Sequence, residues 1–118
     1  MRNRVLVTAH VPGLAENHLP SDRWIAYPRA GARGGAGLQL TGATPVHRSG
    51  PLESPLCIQN YDDAIIPGYR KLAAAIHDEG GTFLAQLAHS AQTGSSSDVG
   101  RPLWAPSPVP SRCDGVCG

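Results

Sequence analysis

Residues 62–89 read DDAIIPGYRKLAAAIHDEGGTFLAQLAH, and the order of patterns in this stretch decides the fold. Asp62-Asp63 put acidic charge where a helix begins, and Pro67 suits its first turn, where a missing N–H has no partner to lose. Ile65, Tyr69, Leu72, Ala73 and Ile76 follow at the i, i+4, i+7, i+8, i+11 spacing that lines one helical face. Gly80-Gly81 stop that helix, and residues 82–87 read as a buried strand.

The same order occurs upstream. Ser21-Asp22 offer an N-cap for a helix running to Arg33, with Pro28 and Gly31 expected to interrupt it. Gly34-Gly35 end it, 46 positions before the second Gly-Gly stop, and residues 37–41 form a second strand. Before this pair, residues 4–8 hold Val5-Leu6-Val7 and stop at His10 and the Pro12-Gly13 turn, as a short buried strand does. An 18-residue connection, residues 44–61, separates the two modules. The order β-α-β-α-β requires parallel strands joined by right-handed crossovers.

A parallel sheet is covered on both faces. Three strands and two helices leave half of the sheet's apolar surface and one edge in water. A complete TIM (β/α)8 barrel takes roughly 250 residues. The chain therefore reads as α/β, the amino-terminal portion of such a barrel with about three βα units. Residues 92–118 show no period of either kind, only a Gly-Ser run and the prolines at 102, 106, 108 and 110, and read as a loop or disordered tail. Residues 113–118 have no apolar anchor, which reads as an artificial end. The expected division is a partial barrel domain over residues 1–91 followed by the tail.

Composition narrows the function. Fourteen glycines and 11 prolines in 118 residues leave too much turn for a helical bundle. Ten basic against nine acidic side chains give a net charge of +1 with no charge block, which argues against nucleic acid or an anionic membrane and for small molecules or proteins as partners. Cys57, Cys113 and Cys117 make an odd count without a C-x-x-C pair, and the first apolar run ends at His10 and Pro12, so a cytoplasmic chain is expected.

Each inferred strand delivers polar groups at its carboxyl end, the face on which such barrels build their sites. The first gives Thr8, Ala9 and His10, the second Thr41, Gly42, Ala43 and Thr44, the third Gln86 and His89. Gln86 stands among Leu84, Ala85, Leu87 and Ala88, and a buried amide there needs partners. A primary amide matches a flat heterocycle edge with adjacent N–H and C=O; a hydrogen bond to a neighbouring loop accounts for it equally well. His10 and His89 read more readily as structural histidines than as ligands, and Asp62-Asp63 as helix capping rather than an acid-base pair. No G-x-G-x-x-G follows a strand, and no G-x-S-x-G elbow is present.

These residues belong to a longer ordered set. Residues 3–7 (NRVLV), 13–16 (GLAE), 19–23 (LPSDR) and 32–38 (ARGGAGL), then 66–72 (IPGYRKL), 85–90 (AQLAHS) and 105–107 (APS), resemble the amino terminus of the Old Yellow Enzyme class of NADH:flavin oxidoreductases. The set covers residues 3 to about 111, and the 2,4-dienoyl-CoA reductase-like branch is the most similar. The resemblance implies an FMN-binding barrel, with NADH or NADPH as reductant and an electron-poor alkene or related small molecule as acceptor. It implies that Ala9, His10 and Val11 contact the flavin largely through backbone, that Ala43 lies near its ring, and that Gln86 binds its pyrimidine edge. Many members have Pro-Met-Thr or Ser-Met-His at Ala9-His10-Val11, and Arg at Gln92. Full-length members are often homo-oligomers. The expected function is thus the amino-terminal part of an FMN-dependent NAD(P)H oxidoreductase, incomplete alone; the alternative is a non-catalytic remnant or interaction module with an open parallel edge.

Overall fold

The computed structural model describes residues 1–50, 56–90 and 104, so the expected tail over residues 92–118 lies, apart from Trp104, outside the described residues. Three strands, β1 (Leu6–Val7), β2 (Leu38–Pro45) and β3 (Thr82–Ala88), alternate with two helices, α1 (Asp22–Arg33) and α2 (Ile66–Asp78). The sheet order is β1-β2-β3 with both pairings parallel, as the α/β, barrel-type reading requires.

Local chemistry sets the helix ends. The Ser21 hydroxyl accepts the Trp24 N–H at 3.1 Å and donates to the Leu14 carbonyl, so α1 starts where one side chain satisfies its first turn and ties the preceding loop to it. Asp62 accepts from the Ala64 N–H at 2.9 Å and opens a 3-10 turn, Asp63–Ile65, that leads into α2. The second helix thus begins in two stages. Gly35 and Gly80, with φ of +107° and +73°, turn the chain out of the two helices.

Three expectations need correction. Pro28 and Gly31 do not interrupt α1, which runs unbroken to Arg33. The Pro28 carbonyl accepts the buried Gln39 Nε2 at 2.6 Å, and a Cβ on Gly31 would lie 2.5 Å from Gln39 Oε1. Both residues make room for one amide that fastens α1 to β2, which offsets their poor helix propensity. The second strand runs on to Pro45, four residues past its expected end, because Thr44 and Pro45 pair with Leu87 and Ala88. The first shortens to two residues.

The helices pack on one face of the sheet. Leu72 and Ile76 are fully buried with Ala32, joined by Trp24, Ile25, Ala15, Ile58 and Ile65, and Tyr69 and Phe83 close the cluster. Successive strand side chains alternate between faces, so Gln39 and Phe83 turn to the helices while Leu38, Leu40 and Leu84 turn to the other face. That face is open: Leu6 is 48% exposed and Leu84 56%. Leu87, toward the end of β3, is 63% exposed.

At the opposite end from the strand tips, the first residues bind both helix ends together. Arg2 donates to the Glu79 carbonyl at 2.8 Å and to the Ala32 carbonyl, while Asn3 Nδ2 donates to Gly35 O at 2.8 Å. A cation at two helix C-termini meets their unsatisfied carbonyls and their negative dipole ends. Arg29 and Glu79 add an ion pair between the helices at 3.0 Å. Urea titration of single variants should separate core from staple: Leu72→Ala costs about 2–5 kcal/mol by transfer and cavity terms, and Arg2→Ala about 1 kcal/mol. Equal losses would contradict this division.

Candidate functional site

The carboxyl ends of the strands converge through β2, the strand paired on both sides. Its register against β3 shifts between Thr41 and Thr44, so β2 carries one residue more than β3 over this interval. Gly42 sits in the bulge with φ +143°, and a Cβ there would lie 2.6 Å from Gln86 Cβ. Glycine is required twice over, for the backbone angle and for the close approach to Gln86. The peptide between Gly42 and Ala43 is cis. Thr44 Oγ1 then donates to the Gln86 carbonyl at 2.9 Å, so Gln86 is held at its Cβ and at its carbonyl.

The residues singled out in the sequence meet only in part. Gly42 and Ala43 adjoin Gln86 as expected, but the Gln86 side chain is exposed on the open face, so the requirement of a buried amide does not apply to it. The small residues Gly42 and Ala43 of the bulge lie opposite it on β2. His10 lies edge-on to Tyr27, ring centroids 5.0 Å apart, and lines a cleft with Val7, Trp24, Gln39, Thr41 and Gly42. That cleft has an accessible volume of about 20 Å³, enough for a water molecule and far too little for a planar cofactor. Ala9 is half-buried and Val11 exposed. Through Gly42 the cleft adjoins the Gln86 rim, which places the end of β1 beside it.

Two features at this end were not foreseen in the sequence: a buried serine joining two histidines, and the hydroxyl of Tyr69, whose ring reads there only as part of the α2 stripe. Ser49, fully buried, holds its Oγ 2.8 Å from both His47 Nδ1 and His89 Nε2, and Trp104 stacks on His47 with centroids 4.6 Å apart. His89 is a partnered structural histidine, as expected; its partner lies in a stretch with no periodic signal. Tyr69 is the second. Its ring stacks on Phe83 and its buried hydroxyl lies against Thr44 without a well-formed hydrogen bond. Burial pushes the phenol above its ordinary value, and the Thr44 hydroxyl offsets part of that rise.

No family model matches the chain. Individual proteins do. A metal reductase of Desulforamulus reducens is 38% identical over 115 residues, 98% of this chain and 17% of that protein. A probable N-methylproline demethylase of Rhizobium meliloti is 35% identical over 116 residues, 95% of this chain and 16% of that protein. The Old Yellow Enzyme homologue from Zymomonas mobilis superposes with a TM-score of 0.74 at 30% identity, over 89% of this chain and 29% of that one. The chain belongs to the Old Yellow Enzyme / NADH:flavin oxidoreductase family.

The chain spans about a sixth of the length of the curated relatives it matches. Morphinone reductase, at 22% identity and a TM-score of 0.80, shows the same fold. The Old Yellow Enzyme fold is a TIM barrel, and the three parallel strands and two helices are a part of it. Among the described residues no helix is long and apolar enough to cross a membrane.

The seam between β2 and β3 yields two expectations. Gly42→Ala, which drives a methyl group into Gln86 and forces a left-handed angle, should cost about 2–4 kcal/mol in a urea titration; a loss under about 1 kcal/mol would refute the close approach. Tyr69 holds its proton more tightly folded than unfolded. The stability this contributes is fully present below pH 10 and is lost as pH rises from there through the raised folded value. Stability of the wild type should therefore fall relative to Tyr69→Phe above pH 10, and parallel curves would contradict the assignment.

Proposed function

We propose that this chain supplies the opening arc of an FMN-dependent oxidoreductase, with Ala9, His10, Val11, Ala43 and Gln86 facing the cofactor. The observation that carries the reading is the Gln86 rim. An exposed primary amide, one donor and one acceptor side by side, stands opposite Gly42 and Ala43, which add little bulk beside it. That donor set fits the paired N–H and C=O of a flavin pyrimidine edge. When bound, FMN supplies two-electron hydride chemistry between NADH or NADPH and an acceptor such as an activated alkene.

The chain's own residues bind and orient. Gln86 would hold the heterocycle edge, Ala43 would leave room over the backbone, and residues 9–11 would meet the ring chiefly through main-chain groups. The relatives' names support this division. They include a metal reductase, an N-methylproline demethylase and a multifunctional alkene reductase/demethylase of Caballeronia cordobensis, all matched over this same segment. Across such different substrates, the flavin is what these enzymes have in common, so the shared segment is assigned to it. Acceptor choice then belongs to the remainder of the relatives' length.

A second reading rests on the open face and on the edge of β3, unpaired among the described residues, where Leu84 and Leu87 stand exposed. An interaction module would use that edge to pair with another chain. FMN titration with fluorescence detection separates the two. The cofactor reading expects weak quenching by the purified chain, since only three of the barrel's eight strand ends are present, and a further loss of about threefold to tenfold in Gln86→Leu, which removes the hydrogen bonds and keeps the bulk. No quenching, or equal quenching by the variant, would reject it. Self-association in sedimentation without flavin binding would favour the interaction module.

A further inference from the structure

The loop after β2 carries a polar cluster that the cofactor assignment does not use. His47 Nδ1 lies 3.2 Å from the Ser49 N–H, which donates to it, so this nitrogen is an acceptor and bears no proton. The Ser49 hydroxyl, 2.8 Å from the same nitrogen, must then donate to it. Its oxygen is left to accept, and His89 Nε2, also at 2.8 Å, must carry the proton it receives. The three groups form a one-way chain, His89 to Ser49 to His47, whose direction follows from the backbone N–H alone.

Packing encloses the serine at the centre of this chain, with His89 half-buried and His47 at the surface. Ser49 is fully buried, and Gly50 lies flat on the His89 ring, where a Cβ would come within 2.7 Å. Trp104, itself exposed, stacks on the His47 ring at the surface. The Val46 N–H donates to the Ala88 carbonyl at 3.0 Å, so the loop prolongs the β2–β3 pairing past the end of β2. Gln86 stands three positions before His89 and is held on the other side by Gly42 and Thr44.

We propose that Ser49 and the two imidazoles it joins are positioning residues that fix the end of β3 and thereby the direction in which the Gln86 amide meets its ligand. The proposal rests on the cofactor reading for the identity of that ligand, not for the latch itself.

Nitrogen-15 NMR of the purified chain tests it. At neutral pH His47 should be bare at Nδ1 and His89 protonated at Nε2. Ser49→Ala and His89→Leu should each shift the Gln86 side-chain amide signals and weaken FMN quenching about threefold to tenfold. His89→Gln, which keeps an N–H donor, should restore both toward wild type. A bare Nε2 on His89, or unmoved Gln86 signals in both deletions, would overturn the proposal. Absence of FMN binding by the wild type would reject the cofactor reading, while the tautomers and the Gln86 signals would still decide the latch. Should Ser49→Ala fail to fold, the wild-type tautomers and the Leu and Gln pair at position 89 decide the matter.

Discussion

Strand β2 can bring its backbone against Gln86 only because Gly42 has no side chain, and the geometry of the strand tips depends on that contact. A bulge adds one residue to β2 just where the sheet meets its loops, and the extra length turns Ala43 and Thr44 into new positions. Thr44 is thereby free to bind the Gln86 carbonyl, and its neighbourhood to the Tyr69 hydroxyl links the bulge to the helix-side core. One missing methyl group thus couples the register of the sheet, the placement of an exposed amide and the protonation of a buried phenol.

The distribution of apolar surface follows from a sheet with helices on a single face. Leu72 and Ile76 lose all contact with water, whereas Leu6 and Leu84 keep about half of their surface and Leu87 more than that. Burying such a side chain stabilises by about 1.5–3 kcal/mol, so covering the open face would add several kcal/mol. In a closed barrel that face is the packed interior, built in layers from alternate strands. The alternation of Leu38, Leu40 and Leu84 against Gln39 and Phe83 suits such a double-sided burial better than an exposed sheet, whose outer face would be polar.

What could be read from the sequence was local. The Ser21 cap, the two Gly-Gly stops and the apolar stripe of α2 involve partners within a few residues, so spacing alone reveals them. The parallel order followed because two repeats of one module admit a single handed connection. Long-range bonds were hidden. Arg2 meets a carbonyl 77 positions away, and Ser49 meets His89 40 positions away. Pro28 and Gly31 looked like defects because Gln39, their reason, lies in the next element. Gln86 was correctly placed at a strand tip, yet its exposure could not be read from apolar neighbours that are themselves exposed.

The same division bears on how function is shared along the family. Strand tips present groups toward one end of a barrel, and each loop adds a few contacts, so a segment of three units can specify what all members bind without specifying what each reduces. A binding contribution of this kind must be rigid to be useful, because an amide that wanders by an ångström loses the angle of its hydrogen bonds. The rim invests accordingly in restraint: a bulge glycine, a threonine on the Gln86 carbonyl, and a buried serine spanning two histidines. Their placement accounts for why polar residues of apparently modest value, Thr44 and Ser49, are the ones most deeply buried at this end of the sheet.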